Sequence, residues 1–239
     1  MATRAVKAGM DSDQAAVYDW TALGASAGFR RVEFAQVQRK EVTLVFLQLS
    51  QDSEPTYQPY AFTYRNFVFL VVHLRPLHGL DRCDAVYVRI RWRTQKKRNN
   101  GETKLFARTK DVRLCHVLAA LLIVLRFARL GDDDGVLGIL RSGYLTTDVV
   151  TRILRVAAAE VLGYTATPED ISGYTPHSIR ICACMLLHEQ GHSGVFIKDR
   201  LRWRSDTYLD YLRDTPRLAR QHAASLAHNI LCPDVSVKA

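Results

Sequence analysis

Between Val86 and Arg93 the chain alternates with period two: Val86, Val88, Ile90 and Trp92 are apolar, and Tyr87, Arg89, Arg91 and Arg93 fall between them. Successive side chains of a strand point to opposite faces, so this spacing predicts a strand with one buried face and one basic face. Asn100-Gly101 follows, a pair suited to the positive φ of a tight reversal, and Thr103 to Arg108 supplies a return strand. A β-hairpin with a strongly basic tip is therefore expected. Its apolar face needs cover, and helix-period segments lie on both sides of it. Ahead of it, Ala15, Ala16, Val17, Trp20 and Leu23 form an apolar helical face, with Asp13 as cap and Gly24 and Gly28 loosening the end. A second short helix starts near Arg30. Val42 to Leu49 and Phe67 to Leu74 are rich in β-branched and large apolar residues and are further strand candidates. After Arg113 the pattern is helical: a helix through Leu114 to Leu130, capped by Asp111 and ended by the Gly131–Gly135 loop, then one from Thr146 or Thr147 to Gly163. A loop holding Pro168, Gly173 and Pro176 precedes a helix from His177 to Gln190, closed by Gly191. Two more helices follow, one before Trp203 and one over Ser205 to Arg213, and a last amphipathic helix runs from Pro216 to Asn229. Helices, a three-stranded or similar antiparallel sheet, then a helical bundle make the expected class α+β. One domain over 13–231 is expected, with loose ends at 1–12 and 232–239.

The charge balance narrows the partners. Lys and Arg number 33 against 24 Asp and Glu, giving a net charge of +9. A basic surface suits a polyanion, of which nucleic acid is the commonest. The longest apolar run, Leu114 to Leu125, contains His116 and falls well short of the roughly 20 residues of a membrane span. Residues 1–10 lack the apolar core of a secretory signal. The cysteines (Cys83, Cys115, Cys182, Cys184 and Cys232) are odd in number and scattered, which argues for a reducing compartment and against a disulfide framework or zinc knuckle.

Phosphodiester transfer without a metal needs a particular set of side chains. Guanidinium groups clamp the nonbridging oxygens as they gain charge, and a general acid protonates the leaving 5′ oxygen. A tyrosine nucleophile conserves the bond as a phosphotyrosine, so the strand can be rejoined without a cofactor. Five segments carry such residues in order. They are Gly28-Phe29-Arg30-Arg31-Val32-Glu33-Phe34, Arg93-Thr94-Gln95-Lys96-Lys97, Thr175-Pro176-His177-Ser178-Ile179-Arg180, Arg202-Trp203-Arg204-Ser205-Asp206 and Tyr208-Leu209-Asp210-Tyr211-Leu212-Arg213. Together they resemble the arginine box, hairpin lysine, H-x-x-R box, His/Trp position and nucleophile segment of the tyrosine recombinases. The nearest likeness is to the Crypton- and DIRS-type recombinases of eukaryotic mobile elements, and it runs from about Ala15 to Leu226.

The resemblance implies that Arg30 and Arg180 clamp the scissile phosphate, with Glu33 orienting Arg30. Lys96 protonates the leaving oxygen, His177 acts as acid or base, Trp203 donates its indole N–H to a phosphate oxygen, and Tyr211 attacks. Arg89, Arg91, Arg93, Lys97, Arg98 and Arg202 would contact DNA. It further implies double-stranded DNA as partner, a tetramer on DNA, no metal or other cofactor, and a role in recombination or DNA integration. The location would be nuclear in a eukaryote and otherwise cytoplasmic or nucleoid-associated. Lys96 and Lys97 point to opposite faces of a strand, so only one can serve; Lys96 follows Gln95 as the family pattern does. Tyr208 lies three residues before Tyr211 on one helical face, and the spacing from Trp203 favours Tyr211. The final helix, with Leu218, Ala219, Ala223, Leu226 and Ile230, would dock on a neighbouring subunit or fold onto its own core. The residues before Arg30 are too few for the family's core-binding domain. A fragment, a truncated gene product or a domesticated descendant is thus expected.

Taken singly, each segment has a plainer explanation: a solvated arginine face, a surface pair, a helix cap, a core tryptophan. Their joint order is what carries the reading. His188-Glu189-Gln190-Gly191-His192 matches the H-E-x-x-H zinc signature, but Gly191 stands where the helix should end, so His192 is expected to leave its face. Asp132-Asp133-Asp134 is expected to be a solvated loop. Two other functions remain open: a DNA-binding module without strand transfer, and a type IB topoisomerase, whose second arginine box reads K-x-x-R where this chain has His177.

Overall fold

The computed structural model describes residues 9–35, 61–92, 101–130, 136–212, 219–220 and 223–224. The expected strand over Val42–Leu49, the hairpin tip with Arg93, Lys96, Lys97 and Arg98, the Asp132–Asp134 run and almost all of the final helix lie outside them. The chain divides into two compact units, Met1–Ala183 and Cys184–Ala239. The described residues are α+β.

The first unit opens with α1 (Asp13–Ala27), which buries Ala16, Val17, Trp20 and Leu23. Its cap is Ser12 rather than Asp13: Ser12 has the extended backbone of an N-cap, and its hydroxyl accepts from the Ala15 N–H at 3.1 Å. Asp13 is already helical, where its carboxylate faces the positive end of the helix dipole. Gly28 closes α1 in the left-handed conformation (φ 57°), donating its N–H to Gly24 O. After Phe29, the extended Arg30 caps the single-turn helix α2 (Arg31–Phe34).

The sheet has four antiparallel strands in the order β2-β1-β3-β4: β1 (Phe67–Leu70), β2 (Pro76–Leu77), β3 (Tyr87–Arg91) and β4 (Thr103–Ala107). β1 stops at Leu70 instead of reaching Leu74, because Leu74 takes a positive φ of 57° in a turn closed by its N–H to Val71 O. Pro76, without an N–H, sits in the edge strand where no ladder donor is required. On β3, Val88, Ile90 and the following Trp92 are at most 1% exposed, while Arg89 is half-buried and Arg91 exposed. The expected alternation is present. Gly101, at φ 81°, donates to Trp92 O at 2.7 Å and so belongs to the return arm; Asn100 lies outside the described residues.

α3 (His116–Leu130) packs on α1, and the expected cap Asp111 instead caps a short 3-10 turn over Val112–Leu114 ahead of it. A two-stranded ribbon that the sequence pattern does not announce follows, β5 (Ile139–Leu140) with β6 (Gly143–Tyr144). Thr146 caps α4 (Thr147–Leu162) with its hydroxyl, and Gly163 ends it at φ 69°. Part of the loop expected around Pro168 is helical, α5 (Pro168–Ser172), fixed by a reciprocal capping box between Thr167 and Asp170. The core of this unit is strongly aromatic: Trp20, Phe29, Phe34, Phe62, Phe67 and Trp92 are all buried and meet ring to ring, Phe29 with Phe62 at 5.1 Å and Phe62 with Trp92 at 5.8 Å.

Helix α6 (Pro176–Glu189) carries the chain from the first unit into the second. Gly191, at φ 80°, terminates it, and His192 stacks on Phe196 at 4.4 Å, off the helix. The second unit continues with α7 (Gly194–Leu201), capped by the Ser193 hydroxyl, and a 3-10 turn over Asp206–Tyr211 where an α-helix was expected. Among the described residues no helix is long and apolar enough to cross a membrane.

Candidate active site

The first unit holds Arg30, Glu33, His177 and Arg180. Arg30 is placed by the left-handed Gly28 and by Phe29, which is fully buried and anchors the segment in the aromatic core. Glu33 turns back on the same box. Its Oε2 accepts the Arg30 backbone N–H at 2.9 Å, and its Oε1 pairs with Arg30 Nη1 at 3.4 Å. Glu33 is 1% exposed, whereas the Arg30 side chain is 33% exposed. The buried carboxylate thus contacts the arginine, and the guanidinium keeps a path to solvent. Oε2 also accepts from the indole Nε1 of Trp92 at 3.3 Å. Trp92 reads in the sequence only as an inward member of the β3 alternation. The signal that singles it out is chemical: a buried indole N–H seeks an acceptor.

The H-x-x-R segment lies in the first two turns of α6. The Arg180 guanidinium donates through Nη1 to Gly28 O, a residue 152 positions away that belongs to the arginine box. Ile179 supports the same approach: its Cγ2 would lie 2.6 Å from a Cβ added at Gly24 of α1, so the missing side chain there admits α6. The second arginine box is thereby joined to the first. Arg180 itself is only 4% exposed. Burial, and behind it the Arg180 charge, hold the His177 imidazole below its ordinary pKa. It is therefore neutral at neutral pH and able to accept a proton.

The second unit holds Trp203 and Tyr211. Their rings meet at 5.3 Å, with planes inclined by 53°. Tyr211 is half-buried. Tyr208 is 7% exposed, and its hydroxyl sits against Gly194 so closely that a Cβ there would overlap it. Tyr208 is accordingly a packing residue of α7. Arg202, expected to face DNA, is 5% exposed and forms the left-handed cap of α7 (φ 59°). A side chain so placed contributes to the turn rather than to a surface. Arg89 and Arg91 stay on the outward face of β3, with Arg91 Nη2 3.5 Å from the Cβ position of Gly101.

Among the described residues no group of three His, Cys, Asp or Glu side chains could hold a metal ion. A cavity of about 360 Å³ between α1 and α3, lined by Ala15, Tyr18, Asp19, Cys115 and Arg126, includes none of these candidate residues. No family model, curated protein or solved structure matches the chain.

Proposed function

We propose that this chain is the catalytic domain of a tyrosine recombinase, cleaving and rejoining DNA through a 3′-phosphotyrosine. The observation that carries the reading is the bond from Arg180 to Gly28 O, which joins the two arginine boxes from opposite ends of the first unit. A pair of guanidiniums addressing one phosphate needs such a junction, and neither box alone requires it. The neighbouring rings of Trp203 and Tyr211 and the burial of Tyr208 add weight to Tyr211 as nucleophile.

In the proposed step the Tyr211 oxygen attacks phosphorus and gives up its proton to a general base, with His177 serving as acid or base. The bond from phosphorus to the 5′ oxygen breaks, and Lys96 protonates that oxygen. Arg30 and Arg180 stabilise the charge gathering on the nonbridging oxygens, and Trp203 adds an N–H donor. Rejoining is the same step reversed, so no cofactor is called for. The outward Arg89 and Arg91 supply phosphate contacts along the duplex, and a tetramer on two duplexes would complete recombination.

One observation favours a second reading, a DNA-binding module without strand transfer: Arg180 is almost wholly buried. A nicked duplex pool incubated with the chain, followed by a denaturing gel, separates the two. A covalent protein–DNA band that survives Tyr208→Phe and is lost with Tyr211→Phe is the expected result. Salt-sensitive DNA binding with no band under any condition selects the binding module instead.

A further inference from the structure

One buried carboxylate in the first unit serves at least three donors. Glu33 takes the Arg30 backbone N–H at 2.9 Å, Arg30 Nη1 at 3.4 Å and Trp92 Nε1 at 3.3 Å. The contact to the guanidinium is the longest of these, and a long contact weakens quickly if its acceptor swings. What keeps the carboxylate from swinging is therefore decisive for Arg30. The backbone bond pins Oε2 from one side and the indole pins it from the other. Trp92 is itself immobilised. It is 1% exposed, its ring packs on Phe29 and Phe62, and its backbone exchanges bonds with the return arm, its N–H to Glu102 O at 2.9 Å and its carbonyl from Gly101 N–H at 2.7 Å. The sheet thus holds the indole, the indole holds the carboxylate, and the carboxylate holds the arginine.

We propose that Trp92 is a positioning residue: through Glu33 it fixes the orientation of the Arg30 guanidinium for phosphate. The linkage stands on the structure alone, while its functional consequence rests on the strand-transfer reading above. A tryptophan at this register position does more than fill the core. A phenylalanine would fill most of the same space and leave Glu33 one donor short.

Two measurements on the full chain test this. In the first, the indole N–H resonance of Trp92 is assigned with Trp92→Phe against those of Trp20 and Trp203, and then followed in Glu33→Gln and Arg30→Ala. Both substitutions are expected to shift it. A resonance that moves with Glu33→Gln and ignores Arg30→Ala breaks the chain of three and overturns the proposal. In the second, covalent adduct formation is timed. Trp92→Phe is expected to slow the maximal rate about tenfold, the scale of one hydrogen bond to a charged group. In a Glu33→Gln background the same substitution should cost no more than about twofold, because coupled residues are not additive. Equal losses in both backgrounds, or no loss in either, would mean that Trp92 acts as packing only. A wild-type chain that forms no adduct defeats the strand-transfer reading, and the resonance experiment then decides the linkage by itself.

Discussion

Arg30 is held by a carboxylate that is 1% exposed, a tryptophan bonded into a sheet and a fully buried phenylalanine. Tyr211 lies at the end of a six-residue 3-10 turn, half-buried, with a neighbouring indole and with Leu212 N–H bonded to Leu209 O at 3.0 Å at its end. Turns of this kind have poorer hydrogen-bond geometry than an α-helix and are used in short pieces. The contrast teaches where stability and chemistry sit. The arginine region is built into the core of its unit, so substitutions there should cost stability as well as altering the proposed chemistry. Tyr208 packs within its unit but Tyr211 is only half-buried, so a change at Tyr211 should remove the proposed chemistry and leave stability nearly unchanged. Tyr211→Phe is the extreme case, with complete loss of adduct expected and a stability change within about 0.5 kcal/mol.

The opposite extreme is Arg126. Its Nη2 meets Asp19 Oδ2 at 2.6 Å across α1 and α3, both side chains at most 4% exposed, and it also donates to Met10 O at 2.9 Å. Removing one partner of a buried pair leaves an uncompensated charge, and Arg126→Ala should cost about 3–5 kcal/mol at neutral pH. Chemical denaturation followed by tryptophan fluorescence would read it. A loss under about 1 kcal/mol would show that the α1–α3 core tolerates an unpaired buried charge, and the comparison would fail.

Asp19 adds a pH dependence to the same region. Burial pushes its carboxyl up to about 6, against the pull of the Arg126 guanidinium. A carboxyl whose folded pKa is raised favours the fold when protonated. That contribution is complete below its unfolded value, about 3.9, and is lost as pH rises through its folded one, a change on the order of 3 kcal/mol. Stability should therefore fall as pH climbs across that window, and Asp19→Asn should flatten this part of the profile. An unchanged slope in the variant would assign the dependence to other groups.

How far the sequence foretold these regions follows from the range of each interaction. The alternation along β3, the glycine stops after α1, α4 and α6, and the Thr146 cap depend on neighbours a few residues apart, and the pattern exposes them. The likeness of five segments to one family named Arg30, Glu33, His177, Arg180, Trp203 and Tyr211 together. What escaped it is long-range or marginal. The Trp92–Glu33 bond spans 59 residues and the Arg180–Gly28 bond 152, with nothing local to mark either. β2 and the β5–β6 ribbon are two residues per strand, too short for any period to show. Arg202 read as a surface cation because charge is visible in sequence, whereas its left-handed cap is a property of the turn it closes.

Two glycines bring the comparison to its finest scale. A Cβ at Gly138 would overlap the carbonyl oxygen of Phe34, with the Phe34 carbonyl carbon at 3.3 Å and Leu145 Cβ at 3.7 Å. That carbonyl belongs to α2, and backbone there cannot yield without shifting the box that carries Arg30. Gly138→Ala should therefore cost about 2–3 kcal/mol, the upper range for overpacking. A Cβ at Gly194 would overlap the hydroxyl of Tyr208 instead. The obstacle is the end of a side chain on the 3-10 turn, which can move at a cost of about 1 kcal/mol. Since Tyr208 and Tyr211 share that turn, the displacement passes to the tyrosine proposed as nucleophile. Gly194→Ala should then slow adduct formation at little cost in stability, whereas Gly138→Ala, by shifting the Arg30 box, should slow it only together with a large stability loss. Equal stability losses at the two sites would mean that the tyrosine turn is packed as firmly as the arginine box. The low cost of placing a nucleophile on a short turn would then need another explanation.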